Sequence, residues 1–124
     1  MVNRPVLVVD DEPIVRESIR DWLKDAGYQV VTAETGEAAL ELVKKQDFSV
    51  VILDVRLPGR TGISILREVK ALKPQLKSII ITAYPATELA EEAKELGAID
   101  YLIKPIAPDD LERLIREALI ECEG

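Results

Sequence analysis

Histidine is missing from all 124 residues, which excludes imidazole both as a general base and as a metal ligand. Any metal must then be held by oxygen, and oxygen sites suit magnesium, calcium or manganese. Cysteine is nearly absent too. Cys122 stands alone, so no internal disulfide can form, and Glu121 and Glu123 beside it disfavour a thiolate. No apolar run approaches the length of a membrane span. Met1 is followed at once by Asn3, Arg4 and an apolar run, which is no signal-peptide pattern, so the expected location is the cytoplasm. Linkers and low-complexity segments are lacking as well, and 1–124 reads as one domain. Positive charge is in short supply: 16 basic against 23 acidic residues leave a net charge of −7. A surface of that sign repels phosphate backbones, so nucleic acid is not an expected direct partner, and neither is a membrane.

What remains is ordinary globular material, 48% hydrophobic and 31% charged, enough for a true core at this length. Apolar runs alternate with helical stripes in the βα manner. Val6–Val9, Tyr28–Ala33, Ser49–Leu53, Ser78–Thr82 and Asp100–Ile103 read as strands. Between them lie five helical stripes. Val15, Ile19, Trp22 and Ala26 form the first, after Pro13, with Asp11 or Glu12 as cap and Gly27 as stop. Thr35 caps the second, in which Ala39, Leu40 and Val43 point inward. A turn cluster, Pro58-Gly59-Arg60-Thr61-Gly62, opens the third, made of Ile65, Leu66, Val69 and Leu72. Leu89, Ala93 and Leu96 make the fourth, closed by Gly97, and Leu111, Leu114, Ile115, Ala118 and Leu119 the fifth, begun by Pro108. The first, third and fourth strands are nearly continuous apolar runs, hence buried on both faces, while Gln29 and Thr32 mark the second as an edge. Right-handed crossovers give an α/β fold, a doubly wound (βα)5 sandwich on a parallel sheet.

Four of these strands run into polar residues of one chemical theme. Val9 is followed by Asp10 and Asp11, Leu53 by Asp54, Ile81 by Thr82, and Ile103 by Lys104-Pro105. Parallel strands set those ends side by side, where open α/β sheets bind ligands. Each residue has a bland reading alone. The early aspartates suit a helix cap, Asp54 a turn, Thr82 a strand end and Lys104 a solvated edge. Together they place three carboxylates, a hydroxyl and an ammonium in one shallow pocket. Two carboxylates about 4 Å apart repel by roughly 4 kcal/mol at an effective dielectric near 20. A divalent cation is the obvious compensation, with Mg²⁺ suited to hard oxygen ligands.

The motifs Val8-Val9-Asp10-Asp11-Glu12-Pro13, Leu53-Asp54-Val55-Arg56-Leu57-Pro58-Gly59 with Gly62, Ile81-Thr82-Ala83, Gly97-Ala98, Asp100-Tyr101 and Lys104-Pro105 carry a resemblance over essentially the whole chain. The sequence resembles a bacterial two-component response-regulator receiver domain. That resemblance implies a flavodoxin-like sheet in the order 2-1-3-4-5, as in chemotaxis-type receivers. It implies an aspartyl-phosphate switch in a phosphorelay, fed by a sensor histidine kinase or a phosphotransfer protein. Asp54 would be the phospho-acceptor. Asp10, Asp11, Asp54 and the Arg56 backbone carbonyl would hold Mg²⁺, with Mn²⁺ as a substitute. Lys104, set by a cis peptide to Pro105, would pair with a phosphoryl oxygen. Thr82 would be the switch hydroxyl and Tyr101 the aromatic that turns inward with it. Such a protein is no enzyme beyond its own phosphorylation and dephosphorylation.

Ala83 is small and leaves the acceptor open to a donor, whereas Arg56 and Tyr84 are bulky and are expected to obstruct water. Thr61 and Ala107 depart from the usual family residues, an aspartate and a polar cap, away from the phosphoryl site. Output is expected from the fourth helix, fifth strand and fifth helix, a face carrying Glu88, Glu91, Glu92, Lys94, Glu95, Arg113 and Arg116. A phosphorylation-dependent homodimer or an effector-domain contact both fit it. A rival function is a Mg²⁺-dependent phosphatase with an aspartyl-phosphate intermediate. Its fold type has a nucleophile after the first strand and a second aspartate two residues on. Here the aspartates are adjacent and residue 12 is Glu. An adaptor that no longer takes phosphate is a third reading, opposed by the intact set of five residues.

Overall fold

The computed structural model describes residues 4–57, 60–83, 87–98 and 100–123. Strands and helices alternate: β1 Val6–Val9, α1 Pro13–Asp25, β2 Val30–Ala33, α2 Gly36–Lys45, β3 Val50–Asp54, α3 Gly62–Leu72, β4 Lys77–Thr82, α4 Thr87–Glu95, β5 Asp100–Ile103 and α5 Pro108–Glu123. All neighbouring strands of the five-stranded sheet are parallel, in the order β2-β1-β3-β4-β5. This is the doubly wound (βα)5 sandwich in 2-1-3-4-5 order. Between β3 and α3 a two-residue ribbon, Arg56–Leu57 against Arg60–Thr61, replaces the plain turn expected there. Pro58 and Gly59 of that turn cluster lie outside the described residues.

The period-2 alternation of strand side chains sorts the core into two layers. Leu7, Val9, Val51, Leu53 and Ile80 face α2, α3 and α4, where Leu40, Val43, Leu66 and Val69 meet them. Val6, Val8, Val50, Ile52, Ile79 and Ile81 face α1 and α5 and pack on Ile19, Leu23, Leu111, Leu114 and Ile115. Helices on both faces explain why β1 and β3 are buried at every residue, whereas edge strand β2 buries only Ala33 fully.

Helix ends follow local chemistry. Thr35 and Thr61 cap α2 and α3, each hydroxyl accepting the backbone N–H three residues on, at 3.1 Å. Helices α1 and α4 close alike. Gly27 and Gly97 have φ of +96° and +92°, and the N–H groups of Tyr28 and Ala98 return to the carbonyls of Leu23 and Ala93.

Two stripe assignments change. Leu23, not Ala26, completes the buried face of α1, because the helix ends at Asp25 and Ala26 turns away as its C-cap. Leu72 is 40% exposed, and Ile63 in the first turn of the helix is buried instead. Leu89 lies outside the residues whose side chains are described.

Ser78, fully buried beside Val51 in the β3–β4 ladder, has no hydrogen-bond partner for its hydroxyl among the described residues. A buried unsatisfied hydroxyl costs about 1 kcal/mol or more. Replacing Ser78 by Ala is therefore expected to raise stability in urea denaturation by about 1 kcal/mol. A loss of stability would mean the hydroxyl is satisfied in solution.

Candidate functional site

Strand register brings the polar termini together. β1 and β3 run level, pairing Val9 with Leu53, so Asp10 and Asp54 leave adjacent strands at the same height. β4 continues the line, with Asp54 opposite Ile81, and β5 follows with Thr82 opposite Ile103. The Lys104 N–H donates to the Thr82 carbonyl at 2.8 Å, extending that ladder by one residue. The Lys104-Pro105 peptide is cis, as the resemblance implied.

Lys104 is the hub. Its ammonium donates to Asp54 Oδ2 at 2.9 Å and to Glu12 Oε1 at 2.7 Å. It also stands 3.0 Å from Asp10 Oδ2 as an ion pair. The lysine side chain is 11% exposed and the carboxylates of Asp10 and Asp54 are 0% and 4% exposed. Burial alone would push the ammonium pKa down, but contacts with Glu12, Asp54 and Asp10 outweigh it and raise the pKa above the ordinary lysine range. Asp10 is pushed up, chiefly by burial and further by the charge of Asp54, against the opposing pull of the Glu12 N–H and Lys104.

Backbone groups fix the remaining carboxylate oxygens. Asp10 Oδ1 accepts the Glu12 N–H at 2.9 Å and Asp54 Oδ1 the Arg56 N–H at 3.0 Å. Both are local turns in which an aspartate binds the amide two residues ahead. Glu12 is the N-cap of α1 by position, but its side chain makes no cap hydrogen bond. Neither it nor Asp11 caps as expected. Arg16 reaches back from α1 to the Asp10 carbonyl at 2.8 Å, tying the first turn of the helix to the strand end.

Asp10, Asp11, Glu12 and Asp54 each offer an oxygen, and these atoms all lie within 4.8 Å of one another. Asp10 Oδ2 is buried, and its partner among the described residues is the shared Lys104 ammonium at 3.0 Å. A buried carboxylate oxygen with one shared ammonium, beside three other oxygens, is what a hard divalent cation would satisfy, so the donor set fits magnesium. Asp11 is exposed, so the crowding falls on Asp10 and Asp54.

Thr82 is buried. By alternation along β4 it shares the α4-side face with Ile80, and Ile80 pairs with Tyr101 of β5. Tyr101 is half-buried and packs against the layer containing Ala93 and Ala98. Threonine and tyrosine thus occupy one face of adjoining strands. Ala83 and Arg56 are exposed beside the site, and Tyr84 lies outside the described residues.

The comparisons with known proteins bear on this pocket. The model of the response regulator receiver domain matches residues 6–116. The chain belongs to that family. A receiver is a phosphorylation switch of two-component systems, and its family binds Mg²⁺ at an acidic aspartate cluster. Among curated relatives, the transcriptional regulatory protein ZraR of Escherichia coli K12 is 43% identical over 121 residues, which are 94% of this chain and 26% of that protein. The chain therefore spans about a quarter of the first curated relatives it matches. Sporulation initiation phosphotransferase F of Bacillus subtilis is 34% identical, with 96% of each chain covered. A CheY-like receiver structure from Methanospirillum hungatei superposes with a TM-score of 0.94 at 31% identity, covering 99% of this chain and 100% of that one.

Family membership over this span favours the switch over the phosphatase. Sequence reasoning named Asp10, Asp54 and Lys104, which the receiver brings into contact, and Asp11, which joins them at the rim. It missed Glu12, treated only as a cap. The available signal was an acidic side chain two residues past a strand-end aspartate, in a chain whose last strand ends in Lys104.

Of the expected output face, Glu91, Lys94, Glu95, Arg113 and Arg116 are exposed. Glu92 instead pairs with Arg67 and ties α4 to α3. Arg113 and Arg116 pair within α5, with Asp110, Glu117 and Glu112. The Glu88 side chain lies outside the described residues. Among the described residues no helix is long and apolar enough to cross a membrane.

Proposed function

We propose that residues 1–124 form one receiver domain that takes a phosphoryl group onto Asp54 and holds it as a binary signal. The observation that carries this reading is the pairing of Asp54 Oδ2 with Lys104 at 2.9 Å, beside the buried carboxylate of Asp10 on the same ammonium. Asp54 Oδ1 is held by the Arg56 N–H, and Oδ2, paired with Lys104 in the resting state, is the oxygen that attacks. The phosphorus–nitrogen bond of a donor phosphohistidine breaks as the acyl-phosphate bond forms. Asp10, Asp11, Asp54 and the Arg56 carbonyl would hold Mg²⁺, or Mn²⁺ in its place. The metal would supply two positive charges against the crowded carboxylates and the transferring oxygens. Lys104 neutralises a phosphoryl oxygen, and Thr82 donates its hydroxyl to another. Tyr101, on the same face as Thr82, follows it inward and alters the α4–β5–α5 surface.

The donor is a sensor histidine kinase or phosphotransfer protein, and the reader a second copy of the chain or an effector domain. The chemistry belongs to the cytoplasm, where such kinases draw on ATP, and is confined to the protein's own modification. Incubation with acetyl phosphate or with beryllofluoride, each with Mg²⁺, tests this by mass and by sedimentation. Modification lost in Asp54→Asn and a change in association are expected. An unmodified wild-type protein would overturn it.

Arg56 and Tyr84 set the lifetime. Replacing both with small residues is expected to speed self-dephosphorylation several-fold, followed as decay of the aspartyl phosphate. An unchanged rate would show that neither side chain screens the acyl phosphate from water.

A further inference from the structure

Glu12 has a contact without a purpose in the scheme above. Its position caps α1, yet its side chain makes no cap bond and instead takes a Lys104 proton at 2.7 Å. The lysine has three N–H groups. One goes to Asp54, one to Glu12, and the third faces Asp10 Oδ2, 3.0 Å from the nitrogen. An incoming phosphoryl oxygen needs one of these donors. Asp10 and Asp54 are buried with Lys104 as their neighbouring cation, so in the metal-free resting state releasing either strands a carboxylate out of water. The Glu12 side chain is 58% exposed, and water takes over its solvation at little cost.

We propose that Glu12 is the resting-state occupant of the phosphoryl oxygen's place on Lys104, and that it leaves when the phosphoryl group arrives. Glu12 is then a positioning residue that sets how readily the switch charges. It keeps Lys104 aimed at the pocket while competing with the ligand for the same donor. Its negative charge adds to the repulsion an anionic donor meets.

The proposal rests on the Asp54 reading, and the experiment separates the two. Beryllofluoride binding is measured by calorimetry at saturating Mg²⁺ for the wild type, Glu12→Ala and Glu12→Gln. Alanine frees the lysine donor and removes the charge, so the dissociation constant should fall about threefold, in keeping with one exposed pair. Glutamine keeps an acceptor within reach of Lys104 but no charge, so it should fall between wild type and alanine. Unchanged or weaker binding in Glu12→Ala overturns the proposal. Equal gains in both variants overturn it too, since simple charge repulsion would then account for everything. If the wild type takes no beryllofluoride, the Asp54 reading fails first.

Discussion

Replacing Lys104 by methionine is expected to remove about 3 kcal/mol of stability from the metal-free protein at neutral pH. Methionine keeps much of the length and the apolar stem, so the loss isolates the charge. In the native protein one ammonium faces Asp10, Asp54 and Glu12 at 2.7–3.0 Å. Without it, two buried carboxylates meet with no cation between them. Breaking a buried pair from one side costs about 3–5 kcal/mol, and the lower end applies because Glu12 can turn to water. The effect has a definite pH dependence. Burial already raises the Asp10 pKa in the native state, so the folded form binds a proton that the unfolded chain has released. Stability from that source is complete below the ordinary aspartate range and is lost as pH rises through the raised native value. Removing Lys104 takes away a group that lowers this pKa and widens the window. Urea denaturation in chelator should therefore show a large deficit at neutral pH that shrinks as the solution is acidified toward the carboxylate range. A deficit that is small or flat with pH would mean that Lys104 does not hold the acidic cluster together. The wild-type lysine, whose own pKa is raised, keeps its contribution through neutral pH and loses it only in strong alkali.

The same balance changes what Asp11 does. Read as sequence, the three aspartates look equally crowded, and loss of Asp11 would relieve the apo protein. The structure leaves Asp11 exposed while Asp10 is fully buried beside Asp54, sharing Lys104 with it. Relief on neutralisation is expected at Asp10.

Much of this arrangement is legible from strand ends because a parallel sheet converts chain order into position. An apolar run buried on both faces ends where a polar residue must reach solvent or a partner. Asp10, Asp54, Thr82 and Lys104 stand at such points, and register did the rest. Helix stripes were legible where the helix ran full length, as in α5, whose Leu111, Leu114, Ile115 and Ala118 are all buried. They failed at helix ends. Ala26 fits the 3.6 period of α1, but the glycine-closed turn swings it outward. Glu12 escaped for a related reason. Local rules offer an acidic residue before Pro13 a sufficient job as a cap, and the competing partner, Lys104, is 92 residues away. The ribbon pairing Arg56–Leu57 with Arg60–Thr61 is too short for any periodic signal, and the turn residues between them read only as a turn. The close approach of α3 to the end of β3 is equally invisible in the local pattern.

That docking makes Gly62→Ala the second large effect. Helix propensity argues for the substitution, since alanine is favoured over glycine by about 1 kcal/mol inside a helix. Gly62 needs no unusual φ either. What it needs is space. A Cβ there would lie 2.2 Å from the Asp54 carbonyl oxygen, 2.6 Å from the Val55 Cα and 2.9 Å from the Asp54 carbonyl carbon. All three are backbone atoms, so no side chain can swing clear. The Gly62 N–H also donates to the Val55 carbonyl, which holds the helix start against the strand end. Relief therefore requires α3 to move away from β3 or the Asp54–Val55 peptide to shift. Overpacking of this kind costs about 1–3 kcal/mol, enough to reverse the propensity gain. A net loss of about 2 kcal/mol in urea denaturation is expected. The displaced peptide also carries the proposed acceptor, whose Oδ1 depends on the Arg56 N–H just beyond. Beryllofluoride binding by Gly62→Ala should weaken even where the protein is fully folded. A variant as stable as wild type, binding beryllofluoride equally well, would show that the close approach of α3 does not set the position of Asp54.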